Sequence, residues 1–253
     1  MSIQPTIHRR LLMGAAIGLA ASLPRPPSAQ PGRIKAIAFD GFVIIDPRPV
    51  ALRAEALFPG QGARLMEIWR SRQFEYTWLR TLSRRYVDFW QVTQEALVFA
   101  ARAAKLDLAA DQRDALMQAF LELKAWPDVA PVLRDLKDRD IRMAFLANPT
   151  VKMFDAVVRN SGLEGLLEEH LSTDRVQAYK PDPRAYQMGV DAFGRAREEI
   201  AFAASASWDA AGAKAFGYPT IWINRTRLPV EELGPAPDVI GGGMGGLSTF
   251  VGI

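Results

Sequence analysis

The chain has 253 residues, 49% of them hydrophobic and 23% charged, which describes a globular protein with enough chain for one large domain or a domain carrying an insertion. The formal charge of +3 is local: Arg9, Arg10 and Arg25 lie in residues 1–29, which hold no Asp or Glu, and the other basic residues only balance the 28 acidic ones. Nothing in that balance points to nucleic acid, and the absence of cysteine excludes disulfides, thiolate nucleophiles and zinc–thiolate sites.

Residues 1–29 read as an export signal. Arg9-Arg10 precede a small, apolar run from Leu11 to Leu23, and a proline-rich stretch follows. That run is too short for a bilayer, which takes about 20 residues, but it suits the apolar region of a signal peptide. The paired arginines resemble a twin-arginine leader, which implies the export machinery as a partner and a periplasmic or secreted location. His8 lies inside this leader.

The run Ile34 to Phe39 is almost wholly apolar and stops at Asp40, the pattern of a strand buried on both faces. Open parallel sheets place ligands beyond the carboxyl ends of their strands, so Asp40 stands where a nucleophile or a metal ligand would sit. As a plain structural feature it would be a turn or helix-capping Asp. After Asp40 the chain is expected to turn at Gly41 into a second apolar run. Residues 49–126 then read as helical throughout, with helices over 50–58, 63–82, 84–106 and 111–123.

From Trp126-Pro127-Asp128 onward, helices and strands alternate. Strands are expected over 141–146, 170–172, 200–204 and 220–224, and helices over 129–138, 151–161, 184–193 and 210–216. The glycine-rich tail, 241–246, reads as a flexible end. The whole is an α/β fold: a doubly wound, mostly parallel, Rossmann-like core in residues 30–48 and 127–253, with an inserted all-helical cap in 49–126. Such a cap would close over the strand ends, exclude water and carry substrate-positioning side chains.

Four segments in this order resemble the haloacid dehalogenase superfamily: Phe39-Asp40, Phe145-Leu-Ala-Asn148, Tyr179-Lys180-Pro-Asp-Pro183 and Trp208-Asp209-Ala-Ala-Gly-Ala213. Two more, Ile68-Trp-Arg70-Ser-Arg-Gln-Phe-Glu-Tyr-Thr-Trp-Leu-Arg80 and Gly217-Tyr-Pro-Thr-Ile-Trp-Ile-Asn-Arg225, are similar to the type II (S)-2-haloacid dehalogenase branch. The resemblance covers nearly all of the chain after Arg33. It implies hydrolytic dehalogenation of short (S)-2-haloalkanoic acids to 2-hydroxy acids through an aspartyl-ester intermediate, with no cofactor and no metal. Small-molecule 2-haloacids are then the partners, and a homodimer is usual in the family.

By the same resemblance Asp40 is the nucleophile, and Lys180 is the cation that keeps it ionised. Asp209 orients the hydrolytic water. Arg70 holds the carboxylate or receives the halide, Asn148 donates to substrate or halide, and Phe42 and Trp208 line the substrate site. An anion attacking an anion needs such cations nearby. Trp69, Trp78 and Trp90 are read as packing residues, and His170 lies outside the matched loops.

The match departs from the family pattern at the site. The loop after Asp40 is one residue shorter, Phe42 has no hydroxyl, and the loop threonine is missing. Ala147, Ala204 and Ala206 stand where serine, serine and asparagine are expected. Each buried partner lost from a polar site costs roughly 1–3 kcal/mol. Two other readings follow. A non-catalytic small-acid-binding protein on this fold is consistent with the lost donors. A Mg-dependent phosphatase of the superfamily would need a second Asp where Phe42 stands.

Overall fold

In the computed structural model, residues 34–252 are described; the leader in 1–29 and His8 lie outside them. One sheet of six strands carries the fold: β1 (Ala36–Phe39), β2 (Arg142–Ala147), β3 (His170–Ser172), β4 (Ile200–Ala204), β5 (Thr220–Ile223) and β6 (Val239–Gly241). Their order across the sheet is β3-β2-β1-β4-β5-β6, and every neighbouring pair is parallel. The chain builds outward on one side of β1 and then returns to build on the other. The carboxyl end of β1 is therefore the switch point, where this class of sheet binds ligands.

Side chains alternate between the two faces of β1, as strand geometry requires. Ile37 and Phe39 face one core layer, and Ala36 and Ala38 face the other. The alanine face is small, so two helices bearing large side chains sit close to it. They are Pro183–Phe193 and Ser207–Phe216, here α8 and α9. Tyr186 and Tyr218 are fully buried there beside Phe202 and Trp222. Gly212 of α9 makes this approach possible, because a Cβ there would lie 2.5 Å from the Tyr186 hydroxyl and 2.9 Å from Pro181.

Earlier in the chain come α1 (Gly41–Ile44), α2 (Arg48–Leu57), α3 (Gly62–Leu82), α4 (Phe89–Ala103) and α5 (Ala110–Ala119). Helices α6 (Val129–Asp138), α7 (Val151–Ser161) and α10 (Gly245–Val251) complete the set among the described residues. Helices α2 to α5 form a layer inserted between β1 and β2. The chain leaves and re-enters the sheet side by side: Asp46 N–H donates to Lys124 O and Trp126 N–H to Ile44 O, each at 2.9 Å. The layer is tied internally by Trp69 Nε1, which donates to Thr93 O at 2.8 Å, and by Gln73 Nε2, which donates to Thr93 Oγ1 at 2.6 Å. It is tied to the sheet side by Tyr179, whose hydroxyl donates to Val87 O at 2.6 Å and whose N–H donates to Thr81 Oγ1 at 3.0 Å.

Four expectations need correction. The second apolar run is a single buried turn of helix, α1, because the Asp40 carboxylate accepts the Phe42 N–H at 3.2 Å and caps it. The region 84–106 is helical only over Phe89–Ala103; Arg84 takes a left-handed φ of 56° that ends α3. Helix α9 begins at Ser207, so Trp208 and Asp209 are inside its first turn. The glycine-rich tail is not a free end. Its first residue, Gly241, ends the edge strand β6 and its last two open α10, and between them the Met244 N–H donates to Asp128 Oδ2 at 3.0 Å. Arg225 holds that same carboxylate at 2.8 and 3.0 Å, contacts made across the fold that no local sequence pattern announces.

Gly212→Ala tests the close approach of α8 and α9. Alanine gains about 1 kcal/mol of helix propensity over glycine, but overpacking a closed core costs about 1–3 kcal/mol. The expected result is a net loss of about 1 kcal/mol or more, read as a lower Tm. An unchanged or higher Tm would mean that Tyr186 moves aside freely.

Candidate active site

Each loop that follows a central strand delivers one polar group to the switch point. Asp40 follows β1, Asn148 follows β2 and Ser205 follows β4, while Lys180 arrives from the segment before α8. Asp40 is 8% exposed, Asn148 5% and Lys180 1%. Asp209 reaches the same point from the first turn of α9 and is also 1% exposed.

The centre is a buried ammonium between two carboxylates. Lys180 Nζ donates to Asp40 Oδ1 at 2.7 Å and to Asp209 Oδ2 at 2.5 Å. Burial opposes the charge on Lys180, but Asp209 and Asp40 outweigh it, and its pKa stands above the ordinary lysine value. One cation cannot neutralise two anions. Burial, with Asp40 close by, pushes Asp209 up to about 6 in spite of its contact with Lys180.

Both oxygens of Asp209 are engaged, Oδ2 by Lys180 and Oδ1 by the Tyr186 hydroxyl at 2.7 Å. It therefore fixes Lys180 in place. Asp40 Oδ2 accepts the Ser205 hydroxyl and the Phe42 N–H. With Oδ1 on Lys180, the nucleophile candidate is held at both oxygens and keeps a 12% exposed side chain. Asn148 Oδ1 accepts the Lys180 N–H at 3.3 Å, so its amide NH₂ is the group left to donate to a ligand.

The space in front of Asp40 is small, about 10 Å³, and aromatic, with Phe42, Phe74, Phe89 and Trp208 around it. Trp208 of α9 packs edge-on against both Phe74 and Trp78 of α3, each at 5.4 Å between ring centroids. The two layers thus meet directly over the carboxylate. Arg70 is not in this group. It is exposed and lines a separate, much larger cavity, and Phe42 and Phe74 belong to the walls of both spaces. Among the described residues it has no carboxylate partner.

Asp40, Lys180, Asp209, Asn148, Phe42 and Trp208 therefore converge, whereas Arg70 stands behind the Phe42–Phe74 partition. Two groups at the site escaped sequence reasoning. Ser205 supplies a hydroxyl where Ala204 and Ala206 had implied a loss, and its place directly after a buried strand was the available clue. Tyr186 had no clue, since only the packing of α8 on α9 brings it to Asp209. Trp69 packs within the helical layer as expected, whereas Trp78 also meets Trp208 across the seam and Trp90 has Lys152 Nζ over its ring at 5.8 Å. His170, two strands away from β1, makes no hydrogen bond to the cluster; it packs against Phe145 and Phe154, and burial lowers its pKa. Among the described residues no three His, Asp or Glu side chains gather in a way that could hold a metal ion.

The family model described as haloacid dehalogenase-like hydrolase matches residues 34–217. The (S)-2-haloacid dehalogenase of Pseudomonas sp. (strain YL) is 45% identical over 206 residues, covering 81% of this chain and 89% of that one. Among solved structures, the L-2-haloacid dehalogenase RSc1362 superposes with a TM-score of 0.85 at 39% identity, over 87% of this chain and 99% of that one. The L-2-haloacid dehalogenase from Xanthobacter autotrophicus with chloropropionic acid covalently bound has a TM-score of 0.79 at 30% identity, over 86% and 98% of the two chains. With this match over most of its length, and with a buried carboxylate, a buried lysine and an aromatic chamber at the switch point of a parallel sheet, the chain belongs to the haloacid dehalogenase-like hydrolase family.

Proposed function

We propose that this protein hydrolyses the carbon–halogen bond of (S)-2-haloalkanoic acids, with α2 to α5 acting as a cap over the site. The observation that carries the reading is the Asp40–Lys180–Asp209 cluster, which presents a carboxylate held by a buried lysine to an aromatic chamber. An oxygen of Asp40 attacks C2, the C2–halogen bond breaks, and halide leaves with the bonding pair. Water then attacks the ester, releasing the 2-hydroxy acid and a proton and restoring Asp40. Lys180, Ser205 and the Phe42 N–H hold the carboxylate in line, which limits the reorganisation needed at the moment of attack.

Charge decides what else is needed. Two carboxylates and one ammonium leave the cluster with a net negative charge, yet the substrate is itself an anion. Arg70 is the available cation in the adjoining cavity, because Arg48 and Arg225 are already paired with Asp46 and Asp128. Its planar fork suits a carboxylate. It comes into play as Phe42 and Phe74 yield to the substrate.

The direct test is a single turnover of (S)-2-chloropropionate in ¹⁸O-water, followed by peptide mass analysis. Label in the Asp40 peptide together with halide is expected; Asp40→Asn should release no halide. Arg70→Ala should fold normally and lose about 10²-fold or more in kcat/KM, the size expected for a positioning clamp. Binding of 2-haloacids with no halide from any of them would leave a small-acid-binding protein instead. Mg-dependent phosphate release from a monoester would favour the phosphatase.

A pH limb follows from Asp209. Its carboxyl titrates at about 6, so below that pH Lys180 loses the charge that anchors it and leans on Asp40 alone. Turnover should fall as pH drops through about 6, and Asp209→Asn should be slow without that limb. Stability carries the opposite sign. Between the usual 3.8 and about 6 the folded chain holds a proton that the unfolded chain has released, so this group's contribution to folding weakens as pH rises. A pH–rate profile of wild type and variant that stay parallel through this range would remove Asp209 from the account.

Export in folded form to the periplasm belongs to the same reading, supported by Arg9-Arg10 ahead of the short apolar run in residues 1–29. Cell fractionation should find periplasmic protein that has lost this leader. An intact leader on protein confined to the cytoplasm would refute it.

A further inference from the structure

The space at Asp40, about 10 Å³, is smaller than any 2-haloacid, while the cavity across Phe42 and Phe74 measures about 770 Å³. Small-molecule sites typically hold about 300–1,000 Å³, so this cavity is large for a two- or three-carbon acid. Its walls come from α2 and α3 on one side and from the loops around Trp126 and Arg225 on the other. Met66, Trp69, Phe74, Phe120 and Trp126 make it chiefly apolar. Two of its three arginines are spent on carboxylates and on the faces of Trp126, each with its guanidinium carbon 4.6 Å from the ring centroid. Arg70, four residues before Phe74 on the same face of α3, is the cation left over.

The chamber is chiefly apolar, with Arg70 and Glu67 both on its wall, and Arg70 is the one arginine there with no ion-pair partner among the described residues, which suits a carboxylate that carries an apolar body. We infer that this cavity binds the alkyl or aryl substituent on C2 of the substrate, and that the protein favours 2-haloacids with chains of about six to eight carbons over 2-halopropionate. The inference rests on the dehalogenase reading and extends its substrate class. Phe74 is the specificity-determining residue, since its ring walls both the reacting space and the cavity. The substrate's carboxylate meets Arg70, its C2 faces Asp40, and its chain runs along Met66 and Trp69 toward Trp126. Each methylene buried there improves affinity by about fourfold, the equivalent of 0.8 kcal/mol.

Binding and turnover separate this inference from the reading beneath it. Calorimetric titration of the full chain with propionate, butanoate, hexanoate and octanoate, which carry no halogen, reads the cavity alone. Octanoate is expected to bind at least about tenfold more tightly than propionate, a conservative fraction of the full methylene gain. Ala51→Trp, at an exposed position of α2 on the cavity wall, should abolish most of that gain; Thr226→Trp does the same from the opposite wall should the first variant fail to fold. In halide-release assays the ratio of kcat/KM for 2-chlorooctanoate to that for 2-chloropropionate should exceed one in wild type and fall in the variants. Affinity that is flat with chain length, or a gain that survives both variants, overturns the cavity assignment. Chain-length-dependent binding without halide release upholds the cavity and sinks the dehalogenase reading.

Discussion

The structure depends on one buried ammonium. Lys180 has almost no access to water, and its charge is tolerable only because Asp40 and Asp209 accept from it at 2.7 and 2.5 Å. Removing one partner from such a buried pair typically costs about 3–5 kcal/mol, because the other charge is left stranded. The three residues come from the end of β1, the segment before α8 and the start of α9, so the ion cluster also fixes the relative positions of these elements. Tyr186, wedged where Gly212 leaves room, extends that constraint into the small-residue face of the sheet.

A second constraint is the aromatic seam between the helical layer and the sheet. Trp208 meets Phe74 and Trp78, and Tyr179 meets Phe89 while donating to Val87 O. Tyr179 is the immediate neighbour of Lys180. The same segment therefore holds the buried cation with one side chain and the overlying helices with the next. This closes the site to water, which strengthens every electrostatic contact inside it. It also separates the charges: the cation that holds Asp40 is built into the core, while Arg70 stands on the side of the helical layer, at the wall of the larger cavity that shares Phe42 and Phe74.

The lost donors at Phe42, Ala147, Ala204 and Ala206 do not leave Asp40 unsupported. Ser205 and the Phe42 N–H both reach its Oδ2, so one side-chain and one backbone donor serve there. What changes is the wall of the chamber, which is more apolar than a site rich in hydroxyls would be. That shift toward hydrocarbon is continuous with the apolar cavity next door.

Much of this was legible in the chain itself. Buried strands of parallel sheets announce themselves as apolar runs, so β1, β2, β4 and β5 were placed to within two residues, and Asp40 was visible as the carboxylate that ends the first. Asn148, Lys180 and Asp209 are carried by short segments that resemble the family's, after β2, before α8 and at the start of α9, where local sequence and site coincide. The sequence could not place Ser205, Tyr186 or the docked tail. Ser205 looks like any loop serine, Tyr186 like any helix residue, and Gly241–Gly246 like a linker. Their roles arise from contacts between segments distant in the chain, which leave no periodicity to read. Nor could it show that Arg70 stands behind a partition of Phe42 and Phe74. Motifs determine which groups the protein possesses; the packing of α3 and α9 over the sheet decides which of them share a chamber.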